Sequence, residues 1–368
     1  MSQTQPLLTP VKLGDYQLKN RVVMAPMTRD RADNPELAPT ALHAEYYAQR
    51  AGAGLIVTEG SQISPQGVGY VNTPGIHSAA QVAGWKQVTD AVHARGGRIF
   101  LQLWHVGAVS HPDFHGGALP VSASAFNPGA KVFTPSFVQK DTVPARELST
   151  AEVQQVVQDF AQGAKNAIAA GFDGVEIHGA NGYLVQQFLR DSSNQRTDQY
   201  GGSIQNRARF LFEVVAAVVQ AVGAGKTGIR LSPTNTYNNP ADSDSQALYD
   251  YVIARLNEYP LAYLHLRDAA GSVSGNNQVA DVTGHYRKIY KGMLITNTGY
   301  DRDKGNAAVA SGRADLVAYG VPFISNPDLV ERFAGEAELA KADPATFYSP
   351  GPKGYTDYPP LRSAAAVA

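Results

Sequence analysis

The sequence predicts a single (β/α)8 barrel of the TIM type, one α/β domain spanning residues 1–368. Three observations predict it. About eight short β-rich runs alternate with longer stretches of helical period, no break in composition divides the chain, and a 43% hydrophobic content supplies core enough for closure. Alternation alone also suits an open doubly wound sheet, and it is the count of eight that favours a closed one.

Before the first barrel strand, VKLGDYQLKN at 11–20 reads as a β-hairpin turning at Gly14 and Asp15, placed to close the barrel bottom. The strands then read RVVMAP (21–26), GLIVTEG (54–60), RIFLQLW (98–104), GVEIHGA (174–180), TGIRLSP (227–233), AYLHLRD (262–268), MLITNTG (293–299) and LVAYG (316–320). Helical periods fall at 41–51, 79–95, 204–222, 243–257, 281–289, 303–311 and 326–335. The clearest helix starts at Ser149, where Ser-Thr-Ala-Glu152 forms a capping box. Val153, Val156, Val157, Phe160, Ala164, Ala167 and Ile168 follow on one face, and Gly171 stops it. The connection after strand 3, residues 105–148, is far longer than a barrel turn needs and is rich in Pro, Gly, Ser and Phe. It follows the carboxyl end of a strand, so it is expected to cap the mouth. The end of the chain, 361–368, carries the small apolar run SAAAVA and is expected to fray.

Composition narrows the function. A formal net charge of −1 with scattered Lys and Arg leaves no footprint for nucleic acid or anionic lipid. The absence of cysteine removes disulfides, thiolate catalysis and Cys-based metal sites. MSQTQPLLTP lacks a basic leader and no apolar run approaches the ~20 residues a membrane span needs, so a cytoplasmic protein, monomer or homodimer, is expected.

In a barrel the chemistry sits at the carboxyl ends of the strands. Those ends supply Pro26, Met27 and Thr28, then Glu59 and Gly60, Gln102 and Trp104, His178, Asn181 and Tyr183, Arg230, Gly299 and Gly320. The set is dominated by neutral donors. A glycosidase needs a carboxylate pair, but Glu59 and Asp268 stand on well-separated strands and Glu176 lies two positions before its strand end, which does not favour one. His111 and His115 in HPDFH have the spacing of metal ligands, but Pro112 argues against the helix that would align them, so no metal is expected. The turns NTGY (297–300) and YGVP (319–322) fall where barrels of this type often hold a phosphate, each with a glycine that lets backbone approach an oxygen.

The runs NRVVMAPMTR (20–29), LQLWHVG (101–107), GFDGVEIHGANGYLVQQFLRDSSNQRTDQYGGSIQNRARF (171–210), FISNPDL (323–329) and GYTDYP (354–359) resemble the old yellow enzymes, flavin-dependent ene-reductases, over nearly the whole chain. That resemblance implies FMN over the barrel mouth and NADPH or NADH as reductant. It implies that Pro26, Met27 and Gly60 meet the isoalloxazine with backbone and that Thr28 places its hydroxyl near the reactive N5. Gln102 would bind the pyrimidine edge, and Arg230 would lie beside N1 and O2. His178 and Asn181 would hold the carbonyl oxygen of an α,β-unsaturated substrate while Tyr183 protonates the α-carbon; Tyr70, Trp104 and Tyr355 would wall the pocket. Thr28 rather than Cys places the chain in the Thr-bearing branch.

Two departures stand out. Val321 occupies a position where relatives carry a basic residue for the FMN phosphate, which leaves the backbone of Gly299, Tyr300, Gly320 and Val321 to hold it, and Ala108 follows WHVG where Arg is common. No GxGxxG opens a helix after a strand, so a separate dinucleotide site is not required. The expected activity is reduction of activated C=C bonds. Reduction of nitro compounds or nitrate esters in the same pocket is the alternative enzyme, and a ligand-binding barrel without turnover is the alternative from another class.

Overall fold

The computed structural model describes residues 5–235, 237–238, 241–267 and 279–361. Asp268 and residues 362–368 of the expected tail lie outside them. Eight parallel strands close a barrel in chain order: β1 Val22–Met24, β2 Leu55–Gln62, β3 Ile99–Trp104, β4 Gly174–Gly179, β5 Thr227–Leu231, β6 Tyr263–Arg267, β7 Leu294–Asn297 and β8 Leu316–Tyr319.

Period-two alternation sorts each strand into a helix-facing and a lumen-facing row. On β3, Ile99, Leu101 and Leu103 join the outer core beneath the helices, whereas Phe100 joins a separate cluster inside the barrel. On β4, Val175 and Ile177 face outward. That leaves Gly174, Glu176 and His178 for the lumen, where a Cβ on Gly174 would meet the Phe100 ring at 2.5 Å.

The bottom of the lumen is an apolar plug. The hairpin Val11–Leu13 and Tyr16–Leu18 brings Leu13 and Leu18 against Phe100, Tyr263, Val23 and Leu55. Gly14 turns it at φ 51, and a Cβ there would lie 2.0 Å from Gly225 O, so both the turn and the close approach require glycine. Each buried leucine contributes roughly 1.5–3 kcal/mol, which holds so short a hairpin in place.

The Thr150–Ala169 helix begins as its capping box dictates: Ser149 Oγ accepts from Glu152 N at 3.3 Å and Ser149 N donates to Glu152 Oε2 at 2.8 Å. Helices at Ala41–Gln49, Ala79–His93, Ile204–Val222, Ser245–Leu256, Val282–Ile289 and Arg302–Ala310 follow the sequence periods closely. Two differences have physical reasons. The 326–335 period is the one short helix Leu329–Ala334, and a separate helix, Val321–Ser325, precedes it because Pro327 has no N–H to join the two. A further helix, Leu184–Leu189, follows β4; all six of its residues are buried, so it has no polar face for periodicity to reveal.

The 105–148 connection carries a parallel ladder between Val121–Ser122 and Arg146–Glu147 and an antiparallel hairpin between Lys131–Phe133 and Gln139–Asp141. Its Val106, Val109, Phe114 and Val132 pack on Trp104, Tyr70 and Tyr183, which places it on the carboxyl rim. Among the described residues no helix is long and apolar enough to cross a membrane.

Candidate active site

Above the Phe100–Tyr263 plug the lumen turns polar. Glu176 accepts from Gln102 Nε2 at 2.7 Å and lies 2.8 Å from His265 Nδ1, all three fully or almost fully buried. Arg230, in register with His178 on one side and His265 on the other, gives one Nη2 bond to Asn297 Oδ1 at 2.8 Å, and its Nε has no partner. Burial pulls the guanidinium down to about 10 against the opposing charge of Glu176, so it stays cationic at neutral pH.

The rim is built by the end of β4 and the turn that follows. His178 continues the lumen-facing row, and burial, with Arg230, His265 and Arg267 adding to it, holds its imidazole well below the ordinary range. The ring is therefore neutral. Ala180 N donates to Nδ1 at 3.3 Å, so the proton sits on Nε2, which is left as a donor. Asn181 occupies the left-handed region at φ 59, a conformation Asn tolerates better than most residues. Three groups lock it there: Asn181 N donates to Ser232 Oγ at 2.9 Å, Asn238 Nδ2 donates to Asn181 O at 2.9 Å, and Asn235 Nδ2 donates to Asn181 Oδ1 at 3.0 Å. With Oδ1 taken, the amide presents Nδ2.

Tyr183 follows, with its ring 5.0 Å from His178 and edge-on to Trp104 at 5.1 Å. Its hydroxyl lies 3.0 Å from that of Tyr70, whose ring stacks on Trp104 at 5.2 Å. Burial raises the phenol of Tyr183 far above its ordinary value, and Tyr237 adds to the shift, so the group is a proton carrier at neutral pH. Tyr70 also borders a cleft of about 420 Å³ lined by Leu37, Val68, Phe114 and Pro135.

Gly60 stands against this cluster: a Cβ there would sit 2.7 Å from the Trp104 ring. The register with β3 shifts between Val57 and Gly60, a bulge formed by Thr58 and Glu59. Thr58 Oγ1 accepts from Gln102 N at 3.2 Å, and Glu59 turns out of the lumen to Tyr47 OH at 3.2 Å and Arg29 N at 3.4 Å. The bulge thus removes Glu59 from the mouth where strand-end reading had put it. Met27 lies beside Gly320, within 3.5 Å of where its Cβ would be, joining the end of β1 to the turn after β8. Pro26 and Thr28 flank it, half-buried. Gly299 turns at φ 78, Tyr300 takes a bond from Thr296 Oγ1 at 3.1 Å, and Val321 is 53% exposed.

Tyr355 is not with the others. It is fully buried, its ring stacked on Tyr46 at 3.9 Å with the guanidiniums of Arg29 and Arg31 within 5.1 Å and 4.8 Å. Its ring packs with Tyr46 and the two arginines rather than with Trp104, Tyr70 and Tyr183, so the expectation that it walls the pocket is corrected. The tail tyrosine that adds to the upward shift of the Tyr183 phenol is Tyr348, 65% exposed, together with Tyr237 from the loop after β5. Neither stands at a strand end, so strand-end position does not reveal them; the Asn-rich TNTYNN after β5 is the signal the sequence carries. His111 and His115 are spent locally, on Asp113 at 3.1 Å and Ser110 Oγ at 2.9 Å.

A family model described as NADH:flavin oxidoreductase / NADH oxidase matches residues 6–339. The chain is 47% identical over 359 residues to 12-oxophytodienoate reductase 1 of Oryza sativa subsp. japonica, covering 96% of this chain and 93% of that one. Its structure superposes on morphinone reductase with a TM-score of 0.92 at 45% identity, covering 99% of both chains. It superposes on the old yellow enzyme homologue of Zymomonas mobilis at 0.91 and 40% identity, over 96% and 99%. The chain belongs to the NADH:flavin oxidoreductase / NADH oxidase family, the FMN-dependent oxidoreductases of old yellow enzyme type.

Proposed function

We propose that the protein is an ene-reductase that uses NADPH or NADH to reduce α,β-unsaturated carbonyl compounds at this rim. One observation carries the reading: at the end of β4 the hydrogen-bond accounting leaves two neutral donors, His178 Nε2–H and Asn181 Nδ2–H, beside a phenol held in its protonated form.

The lumen residues suit a flavin ring. Arg230 Nε is buried without a partner, Gln102 has its amide nitrogen committed to Glu176 and its oxygen uncommitted, and Gly60 brings bare backbone to the mouth. Arg230 and Gln102 would hold the pyrimidine edge, Pro26, Met27 and Gly60 would meet the ring with backbone, and Thr28 would bind beside N5. The amides of Gly299, Tyr300, Gly320 and Val321 would take the phosphate, with no basic side chain at Val321 to help. Held there, FMN would supply the hydride chemistry that links a nicotinamide to the β-carbon of the alkene.

As hydride arrives, negative charge gathers on the substrate's carbonyl oxygen. His178 and Asn181 stabilise it with hydrogens already in place, at no reorganisation cost. Tyr183 then gives its hydroxyl proton to the α-carbon, with Tyr70 accepting or donating at the other side of the same oxygen. Trp104 and Tyr70 form the aromatic wall, and Val132 of the insertion closes the cluster against water. Purified protein is expected to carry a flavin absorbance band that bleaches with NADPH and returns on addition of cyclohexenone under anaerobic conditions. A band that bleaches but does not return would turn the reading toward nitro or nitrate-ester substrates, and protein without a band would leave a ligand-binding barrel.

A further inference from the structure

Below the rim lies a sealed ionic layer that the reaction as described does not use. Glu176 is fully buried and both its oxygens are occupied, Oε1 by Gln102 Nε2 at 2.7 Å and Oε2 by His265 Nδ1 at 2.8 Å. A carboxylate only accepts, so Gln102 must turn its amide nitrogen toward Glu176 and its carbonyl Oε1 the other way. His265 is kept neutral, by burial first and by Arg230 as well, against the pull of Glu176. Its Nδ1 therefore carries the hydrogen given to Glu176, and its Nε2 is a buried lone pair without a partner. Burial opposes ionisation of Glu176, but His265, Arg230 and the Gln102 hydrogen bond together hold it below the usual carboxylate range. The layer thus contains one fixed negative charge and, on the neighbouring strand, the fixed positive charge of Arg230. Such buried pairs are weak sources of stability, because desolvation consumes most of their attraction.

We propose that Glu176 is a positioning residue for the flavin: it fixes the Gln102 amide so that a carbonyl oxygen meets the imide N–H of the ring, and it offsets the Arg230 charge, keeping the ring's reduction potential below the value Arg230 alone would set. The inference rests on the reading of Gln102 and Arg230 as ring contacts. A cation beside the pyrimidine edge favours the electron-rich reduced ring, and a carboxylate one layer below opposes that preference.

Glu176→Gln separates the charge from the geometry. The new amide can still accept from Gln102 through Oε1 and donate through Nε2 to His265 Nδ1 once the imidazole moves its own hydrogen to Nε2. Spectroelectrochemical titration of the flavin-loaded variant is expected to show a tenfold shift toward the reduced ring, which is about 30 mV upward for a two-electron couple. A potential that stays put or falls overturns the proposal. A second measurement needs no variant: wild-type apoprotein should bind 3-methyl-FMN about tenfold more weakly than FMN, since a carbonyl facing the imide nitrogen rejects an N-methyl group. Equal affinity for the two overturns the orientation of Gln102. Gln102→Leu distinguishes the two levels of failure. If it weakens FMN binding while Glu176→Gln leaves the potential unmoved, the inference falls and the ring contacts stand; if it leaves FMN affinity unchanged, both fall.

Discussion

Two clusters flank the carboxyl end of the barrel, and they use the same residue types to opposite ends. Behind β1 and β2, Arg29 gives Nε to Phe347 O at 3.0 Å, Nη1 to Tyr46 OH at 3.0 Å and Nη2 to Gly354 O at 2.7 Å. Arg50 likewise spends its donors on Phe323 O, Tyr46 O and Ile324 O, and Glu59 is taken by Tyr47 and Arg29. At the rim, Arg230 keeps an unpartnered Nε, and His178 and Asn181 each keep a donor. Arginine and tyrosine are common to both; what differs is whether the guanidinium donors are already spent. Arginines whose donors are all spent on carbonyls and hydroxyls fasten segments together, and uncommitted donors at an accessible rim are where a ligand is received.

The sharpest way to break this contrast is at the rim. His178→Ala with Asn181→Ala is expected to lower enone turnover by about 10²–10³-fold for each donor removed, with the flavin band retained; wild-type-like turnover would remove the basis for the assignment. Tyr183→Phe is expected to slow the enone half-reaction by about 10²–10⁴-fold and to leave reduction by NADPH unchanged, as read by stopped flow. Equal slowing of both would speak for a packing role. In the sealed cluster the effect should fall on stability instead. Arg29→Met leaves Tyr46 and two tail carbonyls without their donor and should cost about 3–5 kcal/mol in denaturant unfolding, with turnover per folded, flavin-loaded molecule unchanged.

The smallest effect is a pH dependence. Burial raises Asp30 from 3.8 to about 8, with Glu59 adding to it, and burial raises Glu59 from 4.5 to about 7. Both are acids that the folded state prefers protonated. Their stabilising contribution is present in full below the unfolded values and is lost as pH rises through the folded ones, so stability should decline between about pH 4 and 8. Asp30→Asn should flatten that decline in thermal melts across this window, and an unaltered slope would mean that Asp30 is ionised in the fold.

Much of this was legible in the sequence because it depends on local pattern. The eight strands show as β-rich runs, the Ser149–Glu152 box announces its helix, and His178, Asn181 and Tyr183 sit within six positions where one strand ends. What was not legible depends on partners far away in the chain. The bulge that turns Glu59 away from the mouth is set by register with β3, and Tyr355 is drawn from the pocket by arginines more than three hundred residues earlier. Glu176 stands two positions before its strand end, and nothing in its own segment shows the partners that occupy it, Gln102 and His265, which lie on two other strands.

The clamp at Arg29 has a consequence for the order of assembly. Its bond to Phe347 O spans 318 positions, so a ribosome making the chain from its amino end exposes a buried arginine's docking site long before the carbonyls that fill it exist. The first β/α unit must wait, incompletely sealed, for nearly the last segment to emerge. Premature termination or a rigid fusion just ahead of residue 346 would therefore injure the beginning of the barrel rather than its end.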